Sequence, residues 1–100
     1  MTRARRVDAN QPAVVRALRA VGATVQDLSA VGGGCPDLLV GWRGINLAVE
    51  VKDGRKPPSQ RPLTPDEERW HATWRGRVNT VLSVAEALAL LGIDEAGFVA

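Results

Sequence analysis

One hundred residues, 45% of them hydrophobic and 24% charged, describe a single folded domain over 1–100 with one core, and they exclude wholesale disorder. No apolar run approaches the roughly 20 residues that cross a bilayer, and the amino terminus MTRARRVDANQP lacks the apolar stretch of a secretory signal, so a cytoplasmic location is expected. The lone cysteine, Cys35, excludes an internal disulfide and a thiolate zinc cluster, which leaves oxygen ligands for any metal.

The net charge of +2 hides an uneven distribution. Arg3, Arg5 and Arg6 crowd a start that reads as a flexible basic tail over 1–7, and Arg55, Lys56 and Arg61 share one loop. Both clusters are candidates to follow a phosphate backbone, or else solvated charges that keep the chain in solution.

From Asp8 or Asn10 the pattern predicts a helix, with Pro12 in its first turn, Val14, Val15, Leu18 and Val21 on one stripe, and Gly22 as its stop. ATVQDLSAV reads as a first strand interrupted by Asp27 and Ser29. After the breaker GGGC and Pro36, Asp37 to Lys52 reads as a β-hairpin turned at WRG. DGRKPPSQRP is a loop by composition. Thr64, Pro65 and Glu67 then open a helix through a capping box, and Trp70 and Trp74, four apart, predict a face packed on the sheet. RVNTVLS is a fourth strand, and Ser83 with Glu86 opens a short last helix that stops at Gly92, leaving 93–100 as a weakly specified tail. The order αβββαβα implies an α/β fold, a central mixed sheet flanked by helices, because a hairpin is antiparallel and a strand-helix-strand connection returns parallel.

Along INLAVEVKDG, Ile45, Leu47, Val49 and Val51 face one way, while Glu50 and Lys52 share the other face, roughly 6.6 Å apart along the strand. In a hairpin turned at Arg43 and Gly44, paired numbers sum to roughly 87, so Asp37 falls opposite Glu50. Like charges placed so destabilise a sheet unless a cation lies between them, and hard oxygen donors suit Mg²⁺, with Mn²⁺ as a substitute. The Lys52 side chain beside an attacking water can orient it or, as the neutral amine, take its proton, and as an ammonium it can stabilise charge growing on a phosphate. A structural ion-pair triad is the plainer alternative.

PDLLVG, eight intervening residues and EVK resemble the signature of the PD-(D/E)XK nuclease superfamily. More narrowly, GGGCPDLLVG, LAVEVKDG, LTPDEERWHATWRG and VLSVAEAL resemble small phage and prophage members of its VRR-NUC group, the virus-type replication-repair nucleases, over nearly all the chain after Val7. The resemblance implies a restriction-endonuclease-like fold, Mg²⁺-dependent cleavage of DNA, and a homodimer that cuts branched DNA such as Holliday junctions in a bacterial host or phage-infected cell. It makes Asp37 and Glu50 metal ligands, Lys52 the catalytic lysine and the Val51 carbonyl a further ligand. The chain departs from the pattern twice. The first helix offers Asp8, Asn10 and Gln11 where many relatives of the superfamily carry a glutamate, and Glu67 occupies the region of the group's usual glutamine, with Gln60 outside it.

Asn10, Gln60, Glu67 and His71 are therefore accessory candidates. His71, the only histidine, is expected to be structural, hydrogen-bonded near the sheet. Trp42, at the hairpin turn, is open to a dimer contact, base stacking or loop packing. Cys35 reads as a small buried residue, and GGGCP as the tight lead-in to the active strand. A different class of function also fits: a non-catalytic DNA-binding or assembly module that keeps the fold and uses the basic loop and an exposed Trp42.

Overall fold

Two left-handed residues set the geometry of the hairpin. Arg43 (φ 46°) and Gly44 (φ 81°) form the two-residue turn whose twist matches the flanking strands. They join β2 (Leu38–Trp42) to β3 (Ile45–Val51), and Leu38 pairs with Val49 and Trp42 with Ile45, the register expected from the sequence. The computed structural model describes residues 9–94. Asp8, the arginines Arg3, Arg5 and Arg6, and the tail residues Phe98 and Val99 lie outside the described residues.

Among the described residues the element order is α1 (Gln11–Ala20), β1 (Thr24–Asp27), β2, β3, α2 (Pro65–Thr73), β4 (Val78–Val81) and α3 (Val84–Leu90), with a 3₁₀ turn, Pro58–Gln60, in the loop after β3. The sheet runs β1-β2-β3-β4, antiparallel in its first two pairings and parallel between β3 and β4. This is the mixed α/β arrangement that the order of elements predicted. β1 ends at Asp27, where the carboxylate accepts from the Ser29 amide and turns the chain out of the sheet.

One face of the sheet carries the core. Leu38 and Val40 of β2, Leu47, Val49 and Val51 of β3 and Val81 of β4 are buried against Val14 and Leu18 of α1 and Ala87 and Leu88 of α3. Both helices end alike. Beyond α1 the Ala23 amide donates to Leu18 and the Gly22 amide to Arg19; beyond α3 the Ile93 amide donates to Leu88 and the Gly92 amide to Ala89. This double bond to the last turn requires a left-handed residue, met by Gly22 (φ 99°) and Gly92 (φ 75°). It folds Ala23 and Ile93 back into the core, so Ile93 belongs to the body although the sequence places it in the tail. The α3 cap is half of the expected box: Ser83 accepts from the Glu86 amide, but the Glu86 carboxylate reaches past it to the Leu82 amide.

α2 differs from both. Its capping box is complete, with Thr64 and Glu67 bonded reciprocally, yet Glu67 is its only buried residue. Trp70 and Trp74 do not pack on the sheet as their spacing predicted. They stack on each other, ring centroids 4.4 Å apart and planes 14° apart, and Trp74 is 52% exposed. Two indoles and a run of charged residues do not make the third apolar position that would seat this helix on a core. Trp42 takes the opposite course, packing half-buried against the core beside Gly22 with the Arg43 guanidinium over its ring.

Candidate active site

The face of the sheet turned away from α1 and α3 receives the side chains that the sequence singled out. Because Leu38 pairs with Val49, Asp37 precedes β2 directly opposite Glu50, and both carboxylates are buried. Asp37 continues the ladder with its side chain: its Oδ2 accepts from the Val51 amide at 2.7 Å. A strand residue directs its N–H and its carbonyl to the same side, so the Val51 carbonyl is aimed toward Asp37 too, whereas Lys52 donates its own amide the other way, to Val81.

Glu50, 2% exposed, is pushed up to about 9 by its burial and by its hydrogen bond to and repulsion from Asp37, with Glu67 adding to the push and Lys52 opposing it. At neutral pH and without metal the Glu50 carboxyl therefore keeps its proton. Two buried carboxylates and a backbone carbonyl are the hard donors that Mg²⁺ accepts while keeping several waters, so these residues fit a divalent cation. No group of three or more His, Cys, Asp or Glu side chains has metal-holding geometry among the described residues, so the fit rests on two carboxylates, the carbonyl and water.

Lys52 reaches across this face. Its Nζ donates to Glu67 Oε1 at 3.0 Å and lies 3.7 Å from Glu50 Oε2. The Glu67 oxygen that holds the amine also accepts from the Thr64 amide, so one atom caps α2 and positions the lysine. Burial raises the Glu67 carboxyl, but the Thr64 amide and the Lys52 ammonium together hold it below its ordinary value. The glycine lead-in sets where this happens. A Cβ on Gly34 (φ 84°) would lie 2.8 Å from the Glu67 amide nitrogen and closer still to the Asp66 carbonyl, so only glycine lets the loop before Asp37 touch the first turn of α2. Cys35 beside it is buried, as expected.

The accessory candidates divide. Asn10 is not a side-chain cap for α1. Its amide donates instead to the carbonyls of Lys52 at 2.9 Å and Leu82 at 3.2 Å, tying the helix to the ends of β3 and β4. His71 is half-buried, meets Trp70 edge-on at 6.3 Å and is lowered by burial, so its ring stays neutral; its Nε2 has no hydrogen-bond partner among the described residues, contrary to the bonded role expected of it. Gln60 is exposed in the 3₁₀ turn. In the basic loop, Arg55 is clamped to Asp53, its Nε and Nη2 each 3.0 Å from a carboxylate oxygen, while Lys56 is exposed and Arg61 half-exposed. Asp53, which the sequence reading passed over, also accepts from the Arg55 amide and is held down to about 2 by that residue. Its signal was present in DGR, an acid two residues before a cation in a turn.

Comparison with known proteins gives one decisive result. No family model and no curated protein match the chain. A solved structure described as a "VRR_NUC domain" is 34% identical to it, covers 80% of this chain and 87% of its own, and superimposes with a TM-score of 0.60. The chain belongs to the VRR_NUC family. It is thus a member of a nuclease family, and the four-stranded sheet with flanking helices is that family's restriction-endonuclease-like fold. Among the described residues of this VRR_NUC domain no helix is long and apolar enough to cross a membrane.

Proposed function

We propose that this VRR_NUC domain is a metal-dependent DNA endonuclease that hydrolyses phosphodiester bonds, with Asp37, Glu50 and the Val51 carbonyl as metal ligands and Lys52 as the catalytic lysine. The observation that carries the reading is the pair of buried, opposed acids, Asp37 and Glu50, facing each other across the β2–β3 hairpin; burial first, then the hydrogen bond to and repulsion from Asp37, push Glu50 up to about 9. A fold that served only structure would gain by replacing one of them. When bound, Mg²⁺ (or Mn²⁺) would neutralise the pair and polarise the scissile phosphate. Glu67 holds the Lys52 ammonium on the same face, where it orients the attacking water and balances charge growing on the phosphate as the P–O bond to the leaving strand breaks. Lys56 and Arg61, with the free edge of Arg55 and the amino-terminal Arg3, Arg5 and Arg6, would grip neighbouring phosphates.

The finer reading is structure-selective cutting of branched DNA by a homodimer of the phage and prophage type. Its support is the block-by-block likeness of the sequence to those members, together with the match of a closed two-fold pair to the paired strands of a junction. The test incubates the protein and Lys52→Ala with branched, linear and single-stranded DNA, with Mg²⁺ or a chelator. Cutting is expected only with metal, strongest on branched DNA, and weakened by about 10²–10⁴-fold in the variant. A Lys52→Ala protein that cuts at the native rate overturns the assignment. Metal-independent binding without cutting leaves the non-catalytic module, whose proposed contact Trp42 is half-buried on the core.

A further inference from the structure

The tryptophan pair of α2 lies outside the core and outside the acid-amine site, and it is continuous with the latter. Glu67, Trp70 and Trp74 follow one another at three and four residues, the spacing of a single helix flank. The stripe therefore starts at the residue that holds Lys52 and runs about 10 Å along α2 to its C-cap, Trp74. One face of the Trp74 indole stacks on Trp70, and the residue is still 52% exposed. A Cβ on Gly76 would lie 2.9 Å from Trp74 Nε1, so the glycine lets the chain pass close under that edge. On either side of the glycine stand Arg75 and Arg77, both exposed.

We infer that the Trp70–Trp74 stack with Arg75 and Arg77 is a binding site for an unpaired nucleotide of the DNA substrate, Trp74 stacking on the base and the arginines taking its phosphates. A half-exposed indole stacked on a second ring suits any nucleobase, and the exposed arginines that follow it in sequence supply the sequence-independent attraction of a single-strand track. A second copy of the chain fits the patch less well, because a two-fold contact there would press the arginines of one copy onto those of the other. The inference rests on the nuclease reading for its location: it sets an unpaired base beside the cut, as branched DNA would supply.

Titration of the full chain with oligothymidine and with duplex DNA, in chelator so that nothing is cut, separates the two claims. Oligothymidine is expected to quench tryptophan fluorescence. Trp74→Ala is expected to weaken single-strand binding about tenfold and Trp74→Phe by less than about threefold, with duplex affinity held within about twofold. If Trp74→Ala does not fold, Arg75→Ala/Arg77→Ala decides, with the salt slope of single-strand binding expected to fall by roughly 1.4. Unchanged single-strand affinity in the tryptophan variant, or an unchanged slope in the arginine variant, overturns the inference. So does a Trp74→Ala protein that loses self-association while binding DNA as before, which assigns the stack to a second copy. Weakened binding in these variants of a protein that never cuts would uphold the nucleotide site and refute the nuclease.

Discussion

The two faces of the sheet are held together by different physics. On one, α1 and α3 bury aliphatic side chains and end in the same glycine-dependent lock; on the other, α2 contributes one buried residue, a glutamate, and leaves its large apolar side chains outside. Burial of area fixes the first face, and removing a methylene there is costly wherever it is done. The second is fixed by a few directed bonds, Lys52 to Glu67, Glu67 to Thr64 and Asp37 to Val51, each of which also sets the position of a group proposed to act on substrate. A helix held by polar contacts is a positioning element more than a stabilising one.

That contrast can be broken by mutation. Leu38→Ala on the buried face is expected to cost about 2–5 kcal/mol in chemical unfolding, enough to exhaust much of a small domain's stability. A loss under about 1 kcal/mol would mean that the aliphatic face does not dominate.

Glu50→Gln tests the polar face. A carboxyl whose folded value is raised favours the fold fully below the unfolded value of 4.5, and that contribution is lost as pH rises toward about 9. Metal-free native protein should therefore lose stability from acid to mildly alkaline pH. Glu50→Gln should abolish this slope and be more stable by about 1–3 kcal/mol at the alkaline end. Mg²⁺ should flatten the slope of the native protein and leave the variant untouched. A metal-free protein whose melting temperature rises from about pH 5 to about 9 contradicts the raised Glu50 carboxyl.

The smallest effect sharpens the account of α2. Thr64→Ala removes a cap and should cost about 1 kcal/mol, because Glu67 keeps its bond to Lys52. A larger loss, read by thermal melting, would show that α2 contributes more to stability than its burial implies.

Much of the fold was legible because local rules agreed with one another. Arg43 and Gly44 fixed the turn, the turn fixed the register, and the register put Asp37 against Glu50. Thr64 with Glu67 announced the α2 cap, and Gly22 and Gly92 announced the helix stops. What failed depended on partners that a linear reading does not contain. The spacing of Trp70 and Trp74 says that they share a side of a helix, but not whether anything lies across from it. Asn10 does start the first helix, but the sequence does not say that its amide also serves two strand ends more than 40 residues away. Nor does the sequence show that Asp53 clamps the Arg55 guanidinium, because that pairing is decided by loop conformation.

The Gly34 contact has a mechanical consequence. With no side chain to act as a spacer, the segment that delivers Asp37 rests on the backbone that delivers Glu67, and through it Lys52. A bulkier residue at that glycine would therefore push the segment carrying Asp37 away from the helix turn that carries Glu67, without touching the β2–β3 turn.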